Sequence, residues 1–108
     1  MNRSGEIYLH DKLAGFLSET GEGYIFKYDN NFLKNGIPIS FTFPLRSESY
    51  FSKKLFSFFE GLLPEGWTLE IYSKVLKIDS EDKFGLLLGT CHDCIGAVSV
   101  KEIKNETL

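Results

Sequence analysis

Apolar and polar positions alternate with a period of two through most of the first half of the chain, the spacing of strands that bury one face. Ile7 and Leu9 alternate with Tyr8 and His10, Asp11-Lys12 makes a polar break, and Leu13 to Ser18 resumes the extended run. Glu19-Thr20-Gly21-Glu22-Gly23 has the composition of a hairpin loop. Tyr24-Ile25-Phe26-Lys27-Tyr28 alternates again and suits a half-buried strand. Asp29-Asn30-Asn31 predicts a turn, or a cap on one short helical turn through Lys34, and Asn35-Gly36 marks a further turn. Ile37 to Phe43 reads as another strand with Ile39, Phe41 and Phe43 on one side. Pro38 and Pro44 bracket it, which favours a sheet edge or a strand end.

The second half changes period. Phe51, Leu55, Phe58, Phe59 and Leu62 fall three and four apart, so Ser52 to Leu62 reads as an amphipathic helix ending near Gly61. Pro64 stops it and opens a second helix, with Glu65 at the positive end of the dipole, that runs to about Lys77. Asp79 is the expected N-cap of a third helix, with Phe84, Leu87 and Leu88 on one face and Gly89 as C-cap. Ala97 to Ile103 alternates as a last strand. This order predicts an α+β domain: a small antiparallel sheet or partly open barrel, with about three helices inserted before the last strand.

The second helix carries two apolar stripes. Leu69, Tyr72, Val75 and Leu76 cluster on one side and are expected to pack inward; Trp67, Ile71 and Ile78 fall roughly opposite, with Lys74 among them. A surface helix needs only one such stripe. Either both stripes are buried, with the helix wedged between sheet and neighbours, or the helix has other bounds, or Trp67 projects from its start as an anchor for a partner. Trp is enriched among interface hot spots, and the ten Phe can fill a core without it.

Composition narrows the function. The 108 residues are 43% hydrophobic and 15% aromatic, enough for one domain spanning residues 1–108 and too aromatic for disorder. Twelve Lys and Arg face 15 Asp and Glu, for a net charge of −3, and the lysines are scattered apart from Lys53-Lys54. Direct nucleic-acid binding, which needs clustered positive charge, is not expected. No apolar run approaches the ~20 residues of a membrane span. Met1 to Glu6 lacks the apolar segment of a secretory signal, so a cytoplasmic protein is expected.

Candidate chemistry is sparse, and no enzyme activity, cofactor or metal is expected. Cys91-His92-Asp93-Cys94 has the spacing of half a zinc site or a redox pair, but the only other histidine is His10 and no second cysteine pair exists. Gly21-Glu22-Gly23 lacks the third glycine of a nucleotide-binding turn, and no phosphate loop or kinase triplet occurs. Glu60 and Glu65 read as a helix end and a helix start rather than as paired catalytic carboxylates.

Phe59-Glu60-Gly61-Leu62-Leu63-Pro64-Glu65-Gly66 resembles the E-N-L-L-P-E-G-like stretch in the N-terminal subdomain of HipA-type serine/threonine kinases. Gly89 to Val98 resembles the family's closing G-x-D-C-x-G-A-V segment, and Asp82-Lys83-Phe84-Gly85-Leu86-Leu87 the D-x-F-x-L-L helix before it. The resemblance spans about Glu6 to Val100, nearly the whole chain. Two departures stand out. In fused kinases a kinase core follows, whereas this chain stops at Leu108, and Trp67 stands where they more often carry a polar residue. Such a free-standing version looks like the HipS subunits of tripartite HipBST toxin–antitoxin systems. That resemblance implies a HipT-like kinase toxin that the chain neutralises by docking beside its active site, with a HipB-like DNA-binding protein as third member. The contact residues it implies are Leu63, Pro64, Glu65, Gly66, Trp67 and Ile71. The alternatives are a non-inhibitory subunit that completes the kinase fold and helps to assemble it with the repressor on DNA, and an independent redox or metal-binding domain resting on Cys91 and Cys94.

Overall fold

The computed structural model describes residues 3–63, 66–91 and 97–103; the side chains of Asn35 and Trp67 lie outside that description. β1 (Ser4–Leu9) and β2 (Lys12–Glu19) form a hairpin closed by His10-Asp11, both at positive φ, 50° and 70°. That turn geometry follows the right-handed twist of the strands it joins. β3 (Tyr24–Tyr28) pairs with β2, β4 (Tyr50–Ser52) with β3, and β5 (Val98–Ile103) returns to β1. The result is a five-stranded open sheet of order β4-β3-β2-β1-β5, antiparallel throughout. The register of the first hairpin slips so that Ile7 faces Gly15 while Tyr8 faces Leu13, leaving Ala14 as a bulge. The buried Ala14 then uses its carbonyl to accept the Asp29 N–H at 2.7 Å.

Among the described residues four helices complete the fold: α1 (Asn30–Asn35) between β3 and β4, then α2 (Ser57–Glu60), α3 (Gly66–Leu76) and α4 (Lys83–Thr90) before β5. This is the expected α+β layout in its open-sheet form. The Asp29 carboxylate caps α1 by accepting from the backbone of Asn31 and Phe32. Ile7, Leu17, Phe26, Tyr28 and Val100 leave one face of the sheet to meet Phe59 of α2 and Phe84 and Leu87 of α4 in one core cluster. Phe26 lies at its centre, with the Tyr28 and Phe43 rings each 4.9 Å away and Phe59 at 5.6 Å. The opposite face is partly polar: the Tyr8 hydroxyl donates to Glu6, and Lys101 lies over the Tyr8 ring.

Several expected elements take a different form. Ile37 to Phe43 is not a strand. Ile39 and Phe43 are buried as the alternation predicts, but a turn in which the Phe43 N–H reaches the Ser40 carbonyl at 3.0 Å throws Phe41 outward. The Tyr28 hydroxyl satisfies this loop's backbone, accepting from Ile39 N–H and donating to the Phe43 carbonyl, where a sheet neighbour would otherwise be needed. Ser52 to Leu62 is not one helix either. Tyr50–Ser52 is spent pairing with β3, and helical backbone is confined to Ser57–Glu60. Of the spaced positions Leu55 and Phe59 are buried and Phe58 and Leu62 partly so, but Phe51, on the β4 edge strand, is 54% exposed, so the spacing marked the inward side chains only past that strand.

The third predicted helix is α4, capped by Asp82 instead of Asp79; Asp79 accepts the Glu81 N–H in the preceding turn. Gly89 is inside α4, and Cys91 closes it. A Cβ at Gly89 would lie 3.1 Å from Leu76 Cδ1 and 3.4 Å from Ile78 Cδ1, so this glycine sets how closely α3 and α4 approach. Leu86 is buried as fully as Phe84 and Leu87, because α4 is packed on more sides than a single stripe implies.

Candidate partner-docking site

α3 follows α2 in the chain, and one of its faces is apolar and exposed. Ile71, Tyr72, Val75 and Leu76 are 46, 42, 70 and 39% exposed, half of the eight exposed large hydrophobic residues. Position 67 lies one turn before Ile71 and two before Val75 on that helix. Tyr72 and Val75, expected to face inward, therefore face out. The inner side runs through Leu69 and Ser73, while Leu76, at the edge of the exposed face, still reaches Gly89 with its Cδ1. The polar Ser73 holds an inner position because its hydroxyl donates to the Ile78 carbonyl just past the helix end. Ile78, expected on the outer stripe, packs against the core.

The end of α3 is closed by Lys77 at φ 57°, with the Ile78 N–H bonded to the Ser73 carbonyl at 3.0 Å and the Lys77 N–H to the Lys74 carbonyl at 3.3 Å. This is a left-handed C-terminal cap made without the usual glycine. It turns the chain so that Ile78 meets Gly89 and the core.

α4, on which α3 rests, is held by a charged clamp. Arg3 donates two hydrogen bonds to Glu19 at the end of β2, at 2.8 and 2.9 Å, and two to Asp82 at the head of α4, both 2.9 Å. The guanidinium also lies over the Phe84 ring, 5.4 Å from its centre. A Cβ at position 85 would meet Asp82 Oδ2 and Arg3 Nη1 at 2.4 and 2.8 Å, so only glycine leaves room for the clamp. Hydrogen bonds from Arg3 hold the Glu19 and Asp82 carboxyls below their ordinary range, and the same bonds raise the Arg3 guanidinium.

Of the residues expected to make the contact, Leu63 is 8% exposed and belongs to the core, Ile71 is exposed, and Gly66 and Trp67 form the first residues of α3. Pro64 and Glu65 lie outside the described residues, as does the Trp67 side chain. Sequence reasoning missed Tyr72 and Val75 as outward residues; the polar Ser73, in line with Leu69 and Leu76, was the signal that the helix is turned. Glu60 pairs with Lys83 at 3.3 Å, across α2 and α4. Cys91 is buried with its Sγ 3.5 Å from the Leu62 carbonyl, while His92, Asp93 and Cys94 lie outside the described residues. No helix among the described residues is long and apolar enough to cross a membrane.

Known proteins resemble this chain along nearly its whole length. The HipA N-terminal domain family model matches residues 5–101. An uncharacterised Haemophilus influenzae protein is 36% identical over 102 residues, 94% of each chain. The solved N-terminal domain of HipA toxin superposes with a TM-score of 0.76 at 31% identity, covering 96% of this chain and 95% of that one. A Shewanella oneidensis toxin–antitoxin structure of HipA, HipB and operator DNA gives a TM-score of 0.77 at 26% identity, over 96% of this chain but 24% of that one. The present chain thus spans about a quarter of that longer relative.

Proposed function

The chain belongs to the HipA N-terminal domain family, and from that premise we propose that it acts in a toxin–antitoxin system as an antitoxin of the HipS kind, neutralising a HipT-like serine/threonine kinase. The observation that carries this reading is the outward apolar face of α3, where Ile71, Tyr72 and Val75 continue the line begun at position 67. An inhibitor of this type needs no chemistry of its own. It needs an apolar anchor on a rigid mount, because a preorganised surface loses less entropy on binding. The Arg3 clamp, the Gly89 contact and the Lys77 cap supply that mount. Trp67 is the anchor, placed beside the kinase active site, with Glu65, Gly66 and Ile71 next to it.

Trp67→Ala is expected to abolish rescue of growth from the cognate kinase while leaving the thermal melt of the isolated chain in place. Loss of such an anchor costs ~2–4 kcal/mol of binding. Undiminished rescue would overturn the assignment.

The second reading is a structural subunit that joins kinase and HipB-like repressor without inhibiting. It draws support from the Shewanella relative, a HipA found together with HipB and operator DNA. A kinase assay containing only this chain and the kinase separates the two: suppression without the DNA-binding protein means inhibition, whereas stable binding without suppression means assembly.

A further inference from the structure

A second apolar surface lies on the loop between α1 and β4. Phe41 is 105% exposed and Ile37 64% exposed. Between them and Phe58 of α2 runs an open groove of about 660 Å³, edged by Pro38 and Pro44 and lined by no charged residue. The loop is firmly held. Tyr28 ties both ends of its turn, Ile39 and Phe43 are buried, and the Ser40 hydroxyl bonds the Thr42 hydroxyl and N–H at 3.0 and 3.2 Å. Phe41 is therefore an aromatic side chain displayed in a fixed position, outside the core, beside a hollow large enough for several side chains of another protein.

Size decides what occupies it. A stable interface needs roughly 800 Å² and 20–30 residues on each side. Two exposed apolar side chains and their proline flanks fall well short of that, so this patch alone does not sustain a dimer of the chain. It becomes part of a full-sized interface only when joined to another apolar surface. The α3 face offers four exposed apolar side chains, and Phe58, which walls the groove, belongs to α2, the helix before α3 in the chain. In the Shewanella HipA this fold is 24% of the chain, with a body about three times its length beyond it.

We infer that the Phe41 groove is a second docking patch for the kinase, seating an uncharged, apolar segment of that protein while α3 engages it elsewhere. The inference rests on the kinase-binding reading above and adds to it a separate point of attachment. Phe41 supplies affinity, whereas Trp67 supplies inhibition as well.

The test is calorimetric titration of the purified HipT-like kinase with the intact chain, with Phe41→Ser and with Ile37→Ser. Both altered positions are exposed, so their melting temperatures should match the parent. Phe41→Ser is expected to weaken kinase binding at least tenfold, and Ile37→Ser less, while kinase activity is still suppressed at saturating concentration. Parent-like affinity in Phe41→Ser overturns the second patch and leaves the α3 reading standing. A parent chain that fails to bind the kinase overturns both. A self-associated parent, dispersed by Phe41→Ser without change in kinase affinity, assigns the groove to a second copy and also overturns the inference.

Discussion

At the scale of single residues, the hydroxyl of Tyr28 accounts for the largest departure from the strand pattern. Tyr28 is buried, with its ring stacked on Phe32 and edge-on to Phe26, and its oxygen serves the backbone at both Ile39 and Phe43. Burial raises the pKa of this phenol, which keeps it a donor. Removing only the hydroxyl leaves a buried N–H and a carbonyl unpaired, at a cost of ~1–3 kcal/mol. Tyr28→Phe should therefore lower the urea midpoint by that equivalent and loosen the loop that displays Phe41. A loss below about 0.5 kcal/mol, within the scatter of neutral surface changes, would show that the loop holds itself.

Among elements, the attachment of α4 to the sheet is electrostatic at its head and apolar along its length. Arg3 joins β2 to α4 through Glu19 and Asp82, and Gly85 makes room for it. Both carboxyls titrate lower in the folded chain than in the unfolded one. Their contribution is present above the unfolded carboxylate range and is lost as pH falls through the lowered folded values. Partial exposure of all three side chains, 23–35%, limits it to roughly 1 kcal/mol. Urea midpoints measured between about pH 6 and pH 3, across the ordinary carboxylate range, should fall for the parent chain. Arg3→Met should start lower at neutral pH, fall less steeply and meet the parent curve in acid. Parallel curves would show that the clamp adds nothing to stability.

Over the whole molecule, the sheet and α4 share the core, while α3 reaches it chiefly through Leu69, Ile78 and the contact of Leu76 with Gly89. Elements with few buried apolar contacts open at lower free energy than the core, so α3, held in one position by the Lys77 cap and the Gly89 contact while it is folded, opens more often than the sheet does. Amides of Ile71 to Leu76 should exchange with solvent many-fold faster than those of Ile7 and Leu17 at the sheet centre in the free chain. They should slow when the kinase is added. Equal protection of α3 and β1 in the free chain would contradict this division, and unchanged α3 exchange in the complex would contradict docking through that face.

The sequence alone determined the features that arise from neighbours along the chain. Period-two alternation located β1, β2, β3 and β5, Asp29 announced its own helix, and the segments Phe59 to Gly66, Asp82 to Leu87 and Gly89 to Val98 together carried the family likeness, which the family model matches over residues 5–101. Tertiary structure decided where one buried pattern is compatible with several backbone paths. Leu55, Phe59 and Leu63 are inward on a route that is strand, loop and one helical turn, because β3 offered its edge to Tyr50–Ser52. Ile39 and Phe43 are inward on a loop because a hydroxyl from β3 took the place of a neighbouring strand. The rotation of α3 was settled by Ser73 and by the space above Gly89, partners whose positions no local periodicity encodes. A hydrophobic pattern states which side chains leave water; the groups that satisfy the backbone, and the room left by a missing Cβ, choose the path that takes them there.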